Sequence, residues 1–211
     1  MEENMNKKAL VLLAPGFEEV EAITSIDYLR RAVIEVTIAA VGSKSRTKKT
    51  IVTGSHGISV EACAALENLA AEKKLRASAW DAVVVPGGIP GADNIAASKE
   101  AGDFIRAMAK AEKPVCAICA APARVLFPLG VLAGKKFTCY PGEESVLKPG
   151  SDGVINTGGK SAVWVKDRVV VDGNFITSRS AGTAGEFACA IISKLVSEEE
   201  AKKLAQKVLL K

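Results

Sequence analysis

Three short apolar runs, Ala9–Ala14, Ala82–Val85 and Pro114–Ile118, restrict what this chain can become more than any other feature. None shows the polar alternation of a half-exposed strand, so each reads as a strand buried on both faces in a parallel sheet covered by helices. Each run meets a turn signal at once: Pro15-Gly16, Pro86-Gly87-Gly88-Ile89-Pro90-Gly91, and Cys119-Ala120-Ala121-Pro122. After the first run, Val20, Ile23, Ile26, Leu29 and Val33 recur at helical spacing from a start near Glu18, and Glu35–Val41 is a second β-branched strand. Strand, turn, helix and strand in that order form a βαβ unit, which requires a parallel pair.

The rest of the chain continues the alternation. Thr50–Thr53 and Ile58–Val60 flank Gly54-Ser55-His56-Gly57 and predict a hairpin. Glu61–Ala79 reads as a short helix or irregular crossover, and Ser98–Ala111 as an amphipathic helix with Phe104, Ile105 and Met108 inward. Phe137–Tyr140 predicts a strand, Val163–Val165 and Val169–Val171 a hairpin around Lys166-Asp167-Arg168, and Phe175–Ser178 a return to the sheet. Thr183 and Glu186 have capping-box spacing before the helix Phe187–Val196, and Ser197 and Glu200 repeat it before a last helix ending near Leu210. With no internal repeat or linker, residues 1–211 are expected to form one domain, a layered α/β sandwich.

Composition narrows the function classes. A net charge of +4 is mild and dispersed, and its densest run, Lys44–Lys49, reads as a solvated loop, so no direct nucleic-acid binding is expected. No window approaches the roughly 20 apolar residues that span a bilayer, so no membrane association is expected. Lys7-Lys8 ahead of Ala9–Ala14 resembles a signal peptide, but the apolar run is too short and Pro15-Gly16 leads into Glu18-Glu19, so a first buried strand is expected. Cys63, Cys116, Cys119, Cys139 and Cys189 are an odd set without a disulfide-scaffold pattern, as expected of a cytoplasmic chain.

In α/β sheets the site lies beyond the carboxyl ends of the strands. All three turns fall on that edge. Cys119 stands between a buried strand and a helix starting near Ala121, with Pro122 where a first-turn proline is tolerated, which is the arrangement of a nucleophile elbow. A thiol facing a helix N-terminus is expected to have its thiolate favoured. Cys116 lies back inside the strand and reads as core packing rather than the partner in a redox dithiol. Gly87 and Gly88, with Ala120, can supply unobstructed amides to an oxyanion. Glu18, Glu19 and Glu21 sit in a helix's first turn, where acids complement the dipole; one turned toward the thiol would be an acid/base, and the sequence does not select which. His56 reads as a polar turn residue, so a Cys–His dyad would have to recruit it from the hairpin. The Tyr140 phenol is a poor base but a possible donor.

Taken together, Pro15-Gly16-Phe17-Glu18-Glu19-Val20-Glu21, Val85-Pro86-Gly87-Gly88, Ala117-Ile118-Cys119-Ala120-Ala121-Pro122 and Thr177-Ser178-Arg179 resemble the ThiJ/PfpI superfamily, and within it the DJ-one branch, along essentially the whole chain. The resemblance implies a flavodoxin-like three-layer α/β sandwich with a mainly parallel central sheet, homodimeric, with no cofactor and no metal. It implies Cys119 as an oxidation-sensitive nucleophile and Glu21 as the protonated carboxyl bonded to it. Gly88 and Ala120 would supply the oxyanion amides, and Gly87, Arg31, Tyr140, Arg179 and His56 would surround the pocket. The implied activity is cofactor-free glyoxalase or deglycase chemistry on small dicarbonyls such as methylglyoxal, or on glycated protein or nucleotide, in oxidative and carbonyl stress. The alternative is a redox-sensing stress protein or chaperone switched by oxidation of Cys119.

Three departures stand out against that pattern. Ala120 follows the cysteine where the protease branch has histidine. Tyr140 stands where many eukaryotic members have histidine, so a Cys–His–Glu triad is not expected. Arg179-Ser180-Ala181-Gly182-Thr183 lacks the usual Gly-Pro, which predicts a differently shaped pocket rim.

Overall fold

The structure is a computed structural model that describes residues 7–42, 50–157 and 159–210. The basic run Lys44–Lys49 lies outside the described residues. In chain order the elements are β1 (Lys8–Leu13), α1 (Glu19–Arg31), β2 (Glu35–Ala40), β3 (Thr50–Thr53), β4 (Ser59–Ala62), β5 (Ala64–Ala65), α2 (Leu66–Ala71), β6 (Ala82–Val85), α3 (Gly91–Ala97), α4 (Lys99–Lys110), β7 (Val115–Ile118), β8 (Lys136–Phe137), β9 (Val154–Ile155), β10 (Ala162–Trp164), β11 (Val169–Asp172), β12 (Phe175–Ser178), α5 (Ala184–Leu195) and α6 (Glu198–Lys207).

Seven strands form the central sheet in the order β11-β12-β7-β6-β1-β2-β5, parallel throughout except for β11. The expected α/β architecture with a mainly parallel sheet is therefore present. The three apolar runs, β1, β6 and β7, are its middle, and every residue from Ala9 to Leu13 and from Ala82 to Val85 is fully buried. From β1 the chain crosses to β2 on one side, and from β6 to β7 on the other. Right-handed crossovers then place α1 and α3–α4 on opposite faces of the sheet. α5 and α6 join α1, and α2 packs with α4. Phe104, Ile105 and Met108 of α4 are buried as expected, each contributing about 1.5–3 kcal/mol by removal from water.

Four expectations needed correction. Val163–Val165 does not pair with Val169–Val171; β10 joins β8 and β9 in a separate three-stranded sheet, and β11 turns back on β12. The two-residue turn Gly173-Asn174, with Gly173 at φ +64°, closes that hairpin more tightly than Lys166-Asp167-Arg168 could. Tyr140 lies outside any strand, because only Lys136–Phe137 finds a ladder partner. The capping box uses Ser180 and Thr183 rather than Thr183 and Glu186, whose carboxylate is taken by Arg168 at 2.8 Å. In α1 the buried set is Glu19, Glu21, Ala22, Ser25, Ile26 and Leu29, while Val20 and Ile23 are exposed and Val33 lies beyond the helix. The helix thus turns two carboxylates inward where a simple apolar stripe was expected.

Candidate active site

The chain reverses its strand order between β1 and β6, and the loops that follow β1, β6 and β7 meet at that point of the sheet's carboxyl edge. β7 ends at Ile118 and runs directly into Cys119, whose backbone adopts φ +64°. This left-handed conformation costs a non-glycine residue about 1–3 kcal/mol and is held only when neighbours fix it. They do: the Cys119 N–H donates to Ser178 O at 3.0 Å, and its carbonyl accepts from the Tyr140 N–H at 2.7 Å. The chain then enters a single π-type turn, Pro122–Leu126, with Pro122 in its first positions. A nucleophile elbow is therefore present in geometry, but the α-helix expected to start near Ala121 is replaced by this one turn.

The loop after β6 supplies the facing wall. Gly88 sits at φ +89°, and a Cβ there would lie 2.4 Å from Glu18 N and 2.5 Å from Gly16 O. A Cβ on Gly87 would lie 2.5 Å from Cys119 Cβ and 2.8 Å from Glu21 Oε2. Only glycines let the loop pass this close, and Gly87 fills the gap between the thiol's residue and the carboxyl. The loop is tied to the turn after β1 by Glu18 N–H to Gly87 O at 3.0 Å and Gly91 N–H to Gly16 O at 3.1 Å.

The three glutamates, which the sequence left undivided, take three roles. Glu18 is the N-cap of α1, its Oε2 accepting from the Glu21 N–H at 2.7 Å. Glu19 turns toward the β3–β4 hairpin, where Oε1 accepts from the His56 N–H at 2.6 Å and Oε2 lies 2.7 Å from His56 Nδ1. Glu21, 1% exposed, turns toward Cys119 and accepts from the Gly87 N–H at 2.9 Å through Oε2.

Electrostatics follow from these surroundings. Burial raises the Glu21 pKa, the Cys119 contact and the Gly87 and Ala181 N–H groups lower it, the Glu18 charge raises it, and the outcome is about 7. Burial also pushes the Cys119 thiol up, the Glu21 charge and hydrogen bond add to that, and only the Gly88 and Ala120 N–H groups pull it down. The expectation of a thiolate favoured by a helix dipole is thus overturned for the pair with Glu21 ionised. A proton on Glu21 removes the opposing charge and turns the carboxyl into a donor. Near neutral pH the proton that comes and goes is therefore the one on Glu21, while burial and the Glu21 charge keep the Cys119 thiol protonated. Cys119 is buried, with 8% of its surface reaching solvent. Cys116, fully buried, is core packing as expected.

The other sequence candidates fall in different places. Tyr140 is half-exposed with its backbone against Cys119. Arg179 lies beyond the end of β12 and donates through Nη1 to Lys166 O at 2.8 Å. Arg31 is exposed at the far end of α1 and pairs with Asp27 at 2.6 Å, and His56 is engaged by Glu19, so within one chain neither joins Cys119. Glu18, Glu19 and His56 bring ligand atoms within 4.8 Å of one another, as a metal site would require. Their oxygens already accept from the N–H groups of Glu21, His56 and Ile58, so this set is built as a hydrogen-bonded brace. Sequence reasoning missed Arg124, which stands in the turn after Cys119 and joins Asp93 and Glu143. The only signal was a basic residue inside the apolar run Ala120–Leu126.

A mainly parallel α/β sandwich with a cysteine on a strained strand-to-turn corner, flanked by a buried carboxyl and a glycine loop, defines a class of flavodoxin-like proteins with a cysteine elbow. The model of the DJ-1/PfpI family matches residues 7–194, and this chain belongs to that family. It is 39% identical over 201 residues to Protein DJ-1 homolog A of Arabidopsis thaliana, covering 95% of this chain but 45% of that protein. The chain thus spans about half the length of that relative. Protein dj-1beta of Drosophila melanogaster is 38% identical over 207 residues, covering 98% of each chain. A Pyrococcus abyssi protein named a deglycase is 33% identical over 83% of this chain and 91% of its own. Among solved structures, oxidized Toxoplasma gondii DJ-1 superposes with a TM-score of 0.81 at 32% identity, covering 96% and 98% of the two chains. No helix among the described residues is long and apolar enough to cross a membrane.

Proposed function

We propose that this protein is a cysteine-dependent, cofactor-free glyoxalase or deglycase acting on methylglyoxal or its early adducts with thiols and amines. The observation that carries this reading is the Glu21 carboxyl, buried beside Cys119, with Gly87 so close to both that a Cβ would collide with each. Its pKa near 7 leaves it half-protonated at neutral pH, the condition for moving a proton in both directions.

In this mechanism Cys119 adds through sulfur to the aldehyde carbon of methylglyoxal, and the carbonyl oxygen takes the proton that the pair held, giving a hemithioacetal. The amides of Gly88 and Ala120 stabilise the oxygen while it is negative. Glu21 as carboxylate removes the proton from that carbon, forming an enediolate, and returns it to the adjacent carbon, while the hydroxyl proton passes from the first oxygen to the second. The product is a lactoyl thioester of Cys119. Water cleaves it to lactate and the free thiol, so the sum is methylglyoxal plus water to lactate, with no external oxidant or reductant. The relative named as a deglycase supports the deglycase variant, in which the first carbon carries an amine or thiol that departs.

A second reading, a redox-sensing stress protein or chaperone, is favoured by the oxidized form of the Toxoplasma relative and by the same pair: a protonated Glu21 would donate to a Cys119 sulfinate. Lactate formation by wild type and Cys119→Ala separates the two. Cys119-dependent turnover supports the enzyme. Its absence, with clean conversion of Cys119 to sulfinate by peroxide, supports the sensor. Tyr140 and Arg179 would line the pocket mouth. Exposed Val20 and Ile23 on α1, with Ile51 and Ile58 on the adjoining hairpin, are consistent with a homodimer that would bring Arg31 and His56 near a shared edge. Sedimentation of Val20→Glu tests that assembly.

A further inference from the structure

Arg124 occupies the turn that leaves the elbow, where the sequence is otherwise apolar from Ala120 to Leu126. Its guanidinium is used from both ends. Nε and Nη2 donate to Glu143 Oε2 and Oε1 at 2.6 and 3.1 Å, a bidentate pair. Nη1 donates to Asp93 Oδ1 and Oδ2 at 3.0 and 3.1 Å. The Glu143 side chain is 13% exposed, so this pair is shielded from water in a way that most surface pairs are not. A planar fork that meets one carboxylate edge-on and a second from its other nitrogen fixes three chain segments at once.

Those three segments are each tied to Cys119 or to the loop that faces it. Arg124 belongs to the elbow itself, through its N–H to Ala120 O at 2.9 Å. Asp93 lies in the first turn of α3, whose Ala92 N–H bonds Gly88 O at 2.9 Å, so its position is coupled to the oxyanion loop. Glu143 bonds Tyr140 O through its N–H at 3.0 Å, and Tyr140 in turn bonds Cys119 O. Residues 140–147 hold no place in a sheet. Among the described residues their other hydrogen bonds stay largely within the segment, as in Gly142 N–H to Glu144 and the Ser145 hydroxyl to Gly142 O. The Arg124–Glu143 pair is therefore the side-chain tie that anchors this wall.

We propose that Arg124 is a specificity-determining positioning residue: by holding the Tyr140–Leu147 segment and the Gly88–Asp93 segment at fixed separation on either side of Cys119, it limits the thiol to compact electrophiles. This rests on the reading of Cys119 as the nucleophile. Arg124 does not touch the reacting atoms; it sets the width of the opening through Glu143 and Asp93.

The test uses the full chain with the conservative variant Glu143→Gln, alongside Arg124→Met. Alkylation of the Cys119 peptide is followed by mass spectrometry with iodoacetamide, which is small, and with a fluorescein-bearing maleimide, which is large. Losing a bidentate charged pair makes opening of the wall about tenfold more frequent. The maleimide rate should therefore rise about tenfold in both variants, while the iodoacetamide rate, which reports thiol ionisation, changes less than about twofold. Equal acceleration of both reagents, or of neither, overturns the proposal, and so does wild-type alkylation that ignores reagent size. Hydrogen exchange at the Tyr140 and Glu143 amides gives a second readout that needs no reaction at sulfur. Faster exchange in Glu143→Gln supports the tie, and unchanged exchange defeats it. A Cys119 inert to both reagents, with accelerated exchange, would defeat the nucleophile reading and leave the anchoring role standing.

Discussion

Glu19 and Glu21 make an instructive pair. Both are buried side chains of α1, at 4% and 1% exposure. Two helical steps rotate one about 200° from the other, so Glu19 faces the hairpin and Glu21 the elbow. Burial alone would raise both. For Glu19 it is outweighed by hydrogen bonds from the His56 side chain and from the backbone N–H groups of His56 and Ile58, which take its pKa to about 2. Glu21 has fewer donors and Glu18 nearby, and stays near 7. Donor supply together with depth separates a structural carboxylate from a chemical one: Glu19 meets more donors, and Glu21 lies deeper.

The largest expected effect breaks this symmetry in turnover. Glu21→Gln should lower methylglyoxal conversion by about 10²–10⁴-fold, the usual weight of a general acid/base, while Glu19→Gln stays within about threefold. Equal losses in the two variants would erase the distinction.

Stability should reverse the ranking. In urea titrations at pH 8, Glu19→Gln should cost about 1–3 kcal/mol, because donors built for a charge lose it. Glu21→Gln should gain about 1 kcal/mol by removing a poorly solvated charge. A Glu21→Gln protein less stable than wild type at that pH would contradict the account.

The two groups also act in opposite pH windows. Glu19, depressed in the folded chain to about 2 from its ordinary 4.5, contributes stability that is present above 4.5 and lost as pH falls toward 2. Glu21, raised from 4.5 to about 7, contributes stability present below 4.5 and lost as pH rises through 7. Cys119 alkylation should accordingly inflect near pH 7 in wild type and lose that inflection in Glu21→Gln. The smallest effect belongs to His56→Asn, which removes one of Glu19's donors. It should move the acid end of unfolding upward, by less than Glu19→Gln does, in a circular-dichroism titration.

Much of this arrangement was legible in the residues. Ala9–Ala14, Ala82–Val85 and Pro114–Ile118 announced a buried parallel sheet because strands with two covered faces admit no polar positions. Cys119 announced a corner because small residues crowd it. The division of labour among Glu18, Glu19 and Glu21 was not legible, since it depends on His56 and Gly87, 37 and 66 residues away from their acceptors. The β10 misreading has the same origin, because apolar valines specify a strand without naming its neighbour. The thiol's ionisation was misjudged because it depends on burial and on a carboxylate that only the folded chain brings close.

One consequence of the bend at Cys119 remains. A left-handed residue that is not glycine keeps conformational energy in the native state, so Cys119→Gly would relax the corner by about 1 kcal/mol. The hardiest version of this chain would then be one that has given up its sulfur. Heat selection without a demand for activity is expected to drift toward glycine at this position, making the loss of chemistry a mark of relaxed selection rather than of damage.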